Sequence, residues 1–171
     1  MKSMLRTIAV AFSMVLFSIA GQSATAQSPD KMFGLGIVGG TNLGIEAVYA
    51  VTPAVHIGAS VGLGLFSANG VSKNSVIFGP FARFIFAGKK NFKPFLAAGF
   101  TLVSGDVHTL GLGGVASGSK SMVGFGGGAF YFPANDIDVF GQLTFVGIAL
   151  DPSSTFIGTL SPHAGVHWYF N

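Results

Sequence analysis

Hydrophobic and polar positions alternate with period two through most of this chain. In VHIGASVGLGLF the odd positions Val55, Ile57, Val61, Leu63 and Leu65 are apolar, with His56, Gly58, Ser60, Gly62 and Gly64 between them. The final SPHAGVHWYF repeats the pattern: Pro162, Ala164, Val166, Trp168 and Phe170 share one side, His163, Gly165, His167 and Tyr169 the other. Successive side chains of a strand point to opposite faces, so this periodicity predicts strands with one apolar face. Turn residues divide the chain into eight such segments, at 31–40, 42–51, 54–66, 75–86, 92–103, 120–132, 137–148 and 157–170. Each has about the 9–11 residues that a tilted strand needs to cross a bilayer, or slightly more.

The placement of charge separates two kinds of barrel. Glu46, Arg83, Lys93 and Asp138 lie well inside segments and all fall on the non-apolar face. A soluble ligand-binding barrel puts apolar side chains inside. A membrane barrel inverts that, with an apolar band outside and polar groups within. The pattern therefore predicts an all-β chain: an eight-stranded antiparallel up-and-down transmembrane β-barrel. Closure is required, because lipid offers no partner to an open strand edge. Ile77, Phe81, Ile85, Phe95, Phe130, Phe132 and Phe140 run against the rule and point inward with the charges. They either fill the lumen or mark a register slipped at a bulge. The short connectors at 51–53, 87–91 and 133–136 are assigned to the periplasmic side. The longer ones at 67–74, 104–119 and 149–154 are assigned to the outside.

Composition supports a lipid setting. Half the residues are hydrophobic and 9% are charged, with mean hydropathy +0.64, whereas ordinary soluble domains are about 25% charged. MKSMLRTIAVAFSMVLFSIAGQSATAQ carries a basic start, an apolar run and a small-residue site, the three parts of a secretory signal. Cleavage is expected after Ala26, leaving 27–171 as the barrel domain. Removing Lys2 and Arg6 leaves seven basic against six acidic residues, a net charge of +1 rather than +3. Nucleic-acid binding is therefore not implied. With no cysteine in the chain, disulfides, thiolate metal sites and a nucleophilic Cys are excluded.

The signal peptide, the eight segments, FKPFLAAGFTL in the fifth and the closing GVHWYF together resemble the OmpA/OmpX-like family of small outer-membrane β-barrels, over the whole mature chain. The resemblance implies a bacterial outer-membrane location, a last strand closing against the first, and Trp168 and Phe170 in a periplasmic aromatic girdle. It also implies a C-terminal assembly signal in Trp168 and Phe170, although Asn171 follows where family members end on an aromatic residue. The partners implied are outer-membrane lipid, the barrel-assembly machinery and periplasmic chaperones, with the barrel a monomer. The tethering role of longer members, which needs a peptidoglycan-binding domain, is not expected of this chain.

Candidate chemistry is sparse. Glu46 and Arg83 are both expected to face the lumen, on non-consecutive strands whose spacing leaves their contact open, as a gate on a water path or as a static plug. A narrow eight-stranded lumen favours the plug. Lys93 and Asp138 are further lumen polar residues. His56, His163 and His167 are expected to cluster near the periplasmic end as hydrogen-bonding groups, since their spacing is not that of a metal site. Ser104, Asp106 and His108 share one outer connector, but positions i, i+2 and i+4 of a loop do not pre-form a triad. Lipid A deacylases of this shape carry a His-x-Ser pair facing the membrane, and none occurs here. Neither a cofactor nor catalysis is expected. The leading role is structural or surface-interacting, the second a narrow pore or a path for apolar ligands, and the third a lipid A-modifying enzyme.

Overall fold

The computed structural model describes residues 32–40, 42–68, 71–89, 91–108, 115–150, 157–158 and 161–170. The expected signal segment lies outside them. The strands are β1 (Phe33–Gly40), β2 (Leu43–Thr52), β3 (Val55–Ala68), β4 (Val71–Ile85), β5 (Phe92–His108), β6 (Val115–Ala134), β7 (Ile137–Ala149), the two-residue β8 (Ile157–Gly158) and β9 (Ser161–Phe170). All neighbours pair antiparallel. β8 and β9 run along β7 in one register, Gly147 facing Gly158 and Thr144 facing Ser161, so together they form the eighth barrel strand. β1 pairs with β9 from Phe33–Phe170 to Gly40–His163 and closes the barrel. The chain-terminal strand is thus held along its length, which is why it keeps its aromatics. Among the described residues no helix is long and apolar enough to cross a membrane; a barrel crosses with its strands.

Several strands run longer than the apolar alternation suggested. β5 continues to His108 and β6 begins at Val115, so most of the expected outer connector 104–119 is strand. Likewise β3 reaches Ala68 and β4 starts at Val71, shortening the 67–74 connector. The reason is physical. Apolar alternation ends where lipid ends, whereas the backbone ladder continues wherever two strands stay paired.

Face assignments hold along the barrel. Leu35, Ile37, Ile45, Ile57, Val61, Leu63, Val166 and Trp168 are exposed on the outer surface. Inside, Glu46, His56, Arg83, Lys93, Asp138 and His167 are buried. The seven apolar residues that broke the rule do point inward. Ile85, Phe95, Phe130, Phe132 and Phe140 form one buried cluster, and Ile77 and Phe81 line the lumen above it. They record filling of the lumen. A register shift does occur on β7, opposite Phe125 and Gly126, where Gly126 faces Thr144 but Phe125 faces Val146. The extra residue, Phe145, is exposed.

A simple rule explains why a strand-rich chain carries so many inward glycines. Five of the large inward rings lie over a glycine directly opposite on a neighbouring strand. Tyr169 faces Gly34 and His167 faces Gly36; Phe81 faces Gly58; Phe95 faces Gly128; Phe140 faces Gly165. At Gly36 the close approach is absolute. A Cβ there would stand 2.3 Å from the Val166 carbonyl oxygen and 2.4 Å from His167 Cδ2.

Gly36→Ala is therefore expected to destabilise the barrel by about 1–3 kcal/mol, the usual cost of overpacking. Gly141→Ala is the control, since a Cβ there meets nothing within 4 Å. Urea unfolding in lipid vesicles measures both. Equal midpoints would show that His167 does not lie on Gly36.

Candidate functional site

The inward polar residues are not scattered along the lumen. Short turns follow β2, β4 and β6, and the charged side chains stand toward that end of the barrel on β2, β4, β7 and β9. Arg83 Nη2 donates to Glu46 at both carboxylate oxygens, 3.0 Å to Oε2 and 3.2 Å to Oε1. Arg83 Nε donates to Gln142 Oε1 at 3.3 Å. His167 bridges the two carboxylates, with Nε2 2.9 Å from Glu46 Oε2 and Nδ1 2.8 Å from Asp138 Oδ1. Tyr169 donates its hydroxyl to the other Asp138 oxygen at 2.6 Å. Four strands are thus tied across the lumen by one hydrogen-bonded chain.

The electrostatics follow from the partners. Two carboxylates face one guanidinium and one imidazole. Each ring nitrogen of His167 faces a carboxylate oxygen, and an ionised carboxylate only accepts. Donation from both nitrogens satisfies both oxygens and makes the group of four neutral overall. Buried charges persist in such a place when they are paired and hydrogen-bonded. Aromatic faces complete the cage. The Arg83 guanidinium carbon stands 4.3 Å from the centroids of both Phe81 and Phe140, within cation–π range. His167 stacks on Phe140 at 4.9 Å with an interplanar angle of 6°.

Glu46 and Arg83, which parity places in the lumen, are in contact there, and Asp138 and His167 join them. Lys93 lies elsewhere in the same buried layer, its ammonium 5.2 Å from the Phe132 ring centroid. The three histidines do not cluster as expected. His56 and His167 are buried together around Phe130 and Tyr169. His163 sits four residues back along β9, about 13 Å away at the rise of an extended strand, and lines the open lumen above. Strand spacing carried it out of the cluster. Among the described residues no group of three His, Cys, Asp or Glu is placed to hold a metal ion. Ser104 is exposed, and the side chains of Asp106 and His108 lie outside those described.

Three members of the network carry no distinguishing signal in the sequence. Gln142 and Tyr169 have the inward parity but share it with many residues. Phe140 stands out only as an exception to the face rule. Parity gives the face; it does not give the height at which residues on distant strands meet. His56 also differs from its neighbours. It is 1% exposed, directly opposite Arg83 in the ladder, and neither ring nitrogen has a hydrogen-bond partner among the described residues; the same is true of Arg83 Nη1.

Above this layer the lumen opens into a cavity of about 240 Å³, floored by Glu46, Arg83 and Gln142 and walled by Ser60, Thr144 and His163 among others.

No family model and no curated protein matches this sequence. Solved structures do match its fold. The N-terminal β-barrel domain of Pseudomonas aeruginosa OprF superposes with TM-score 0.59 at 16% identity, covering 82% of this chain and 98% of that one. Neisserial surface protein A gives 0.53 at 14% identity, covering 81% and 93%. The Yersinia pestis outer membrane protein Ail, determined in a phospholipid bilayer nanodisc, gives 0.50 at 10% identity, covering 82% and 100%. The chain has the fold of the small eight-stranded outer-membrane barrels.

Two substitutions probe the network. Glu46→Leu strands Arg83 and His167 and is expected to cost about 3–5 kcal/mol, the scale for removing one partner of a buried pair. His56→Leu removes two unpartnered polar atoms at similar volume and is expected to stabilise by about 1 kcal/mol. Urea midpoints in vesicles read both. A destabilising His56→Leu would mean that the imidazole has a partner.

Proposed function

We propose that this protein is an integral outer-membrane β-barrel with a structural or surface-interaction role, acting as a monomer without catalysis. Its lumen is plugged at the periplasmic half by its own side chains. The observation that carries this reading is the filled layer at the turn end. There Phe95, Phe130 and Phe140 pack beside a charge network whose members are bound to one another. An eight-stranded barrel has an interior just wide enough for side chains, and here those side chains are large, paired and buried.

The exterior supports a bilayer as the immediate partner. Trp168 is 64% exposed at the turn end, and Phe33 meets Phe170 edge-on at 5.0 Å across the closing seam. Aromatic rings at that level suit the membrane–water boundary. Insertion would pass through periplasmic chaperones and the barrel-assembly machinery, with Trp168 and Phe170 as the terminal signal. The mature barrel would begin at residue 27 after signal cleavage.

One observation favours a second reading, a narrow pore. The cavity descends to Glu46 and Arg83, so movement of that ion pair is the smallest change that would extend a water path downward. Single-channel recording in planar bilayers decides between the two, with folding verified by heat-modifiable gel mobility. The plugged barrel predicts silence from folded protein. A steady or gated current, altered by Glu46→Ala or Arg83→Ala, would overturn the plug and make the pair a gate.

A further inference from the structure

We propose that the upper half of the lumen is a binding cup for a small, neutral molecule bearing several hydroxyl or amide groups, about the size of a monosaccharide. The inference rests on the plugged reading, because the plug gives the cup its floor.

The first observation is where side chains are missing. On five successive strands, β2 to β6, one of the inward positions lining the cavity is a glycine: Gly44, Gly62, Gly79, Gly99 and Gly126. Glycine weakens a strand interior, so a strand carries it where something must approach closely. Below this level, glycines are covered by rings from the opposite strand. At Gly99 an added methyl group would meet only ordinary contacts, 3.4 Å from Phe81 Cβ and from the Pro80 carbonyl oxygen. Barrel packing therefore does not demand glycine there. At Gly44 and Gly126 the neighbouring strand does demand it, since a Cβ would stand 2.7 Å from the Val61 carbonyl oxygen and 2.2 Å from that of Leu143; the five bare positions together leave the cavity.

The second observation is the mixed chemistry of the remaining lining, in which Val38, Ile77, Phe81, Val103 and Met122 offer apolar surface beside a set of polar groups. The polar groups are Gln142, Thr144 and His163 on β7 and β9, with Ser60 on β3 and Thr101 on β5. The charges at the floor, Glu46 and Arg83, already satisfy each other at 3.0 Å. An ionic ligand would have to compete with that pair. An acyl chain would strip water from Thr101, Thr144 and His163 and return no hydrogen bond. A neutral ring with polar groups on its edge and a flat face toward the glycines meets both demands. The volume of about 240 Å³ falls just under the range of about 300–1,000 Å³ for drug-sized ligands. With the periplasmic half filled, the loop end is the route in.

Calorimetric titration of the refolded protein tests this, with glucose and N-acetylglucosamine as neutral probes and glucuronate as a charged probe of similar size. The expected result is saturable binding of at least one neutral sugar, with glucuronate weaker by about tenfold. Gly99→Leu, which fills the cup, is expected to lower the affinity by about tenfold or more while keeping heat-modifiable mobility. Thr144→Val, which removes one hydroxyl at constant shape, should weaken binding without changing the fold. No saturable binding of either neutral sugar, binding unchanged in both variants, or preference for glucuronate would overturn the proposal. Conductance of the same preparation judges the plug separately. A current would remove the plug and leave the titration to decide the cup.

Discussion

A strand in lipid must find a partner for every peptide group, and this chain meets that demand by closing β1 on β9. Much else follows. Closure of eight strands makes a narrow lumen. The outer surface must be apolar, so polar side chains have only the lumen to occupy. There they must satisfy one another. The pairing of Glu46, Arg83, His167 and Asp138 across β2, β4, β9 and β7 is the result.

The same narrowness governs the apolar interior. Five of the large rings fit because a position facing each is glycine, so a lumen rich in both Phe and Gly is one packing solution. This separates the barrel into two halves. Near the short turns after β2, β4 and β6 the rings cover the glycines and the lumen is filled. Higher up, Gly44, Gly62, Gly79 and Gly99 lie open to the cavity. The aromatic layer also shields the ion pairs. Arg83 lies between Phe81 and Phe140, where weak screening strengthens the attraction and raises the cost of losing a partner.

Much of the fold was legible because strand parity is a local signal. The alternation around Ile57 or Trp168 needs no knowledge of distant residues, and eight segments with one apolar face admit few closed arrangements. Parity also placed Glu46, Arg83, Asp138 and His167 inside. What it could not supply was height. His163 and His167 share a face yet lie on different sides of the floor of the cavity, and Gln142 reaches Arg83 only because β4 and β7 happen to present them at one level. Stagger between strands sets that level and is written in no short stretch of sequence. The outer strand ends were hidden for another reason. Beyond the bilayer the ladder persists without an apolar face, so β5 and β6 outran the pattern that revealed them.

The lumen charges compensate one another as a unit. A double-mutant cycle on Glu46→Leu and Arg83→Met, read by urea unfolding in lipid vesicles, tests this most directly. Removing both is expected to cost less than the sum of the single losses, with a coupling of about 1.5–3 kcal/mol, the upper part of the range for residues sharing a network. Losses that add within about 0.5 kcal/mol, as they do for independent sites, would contradict it.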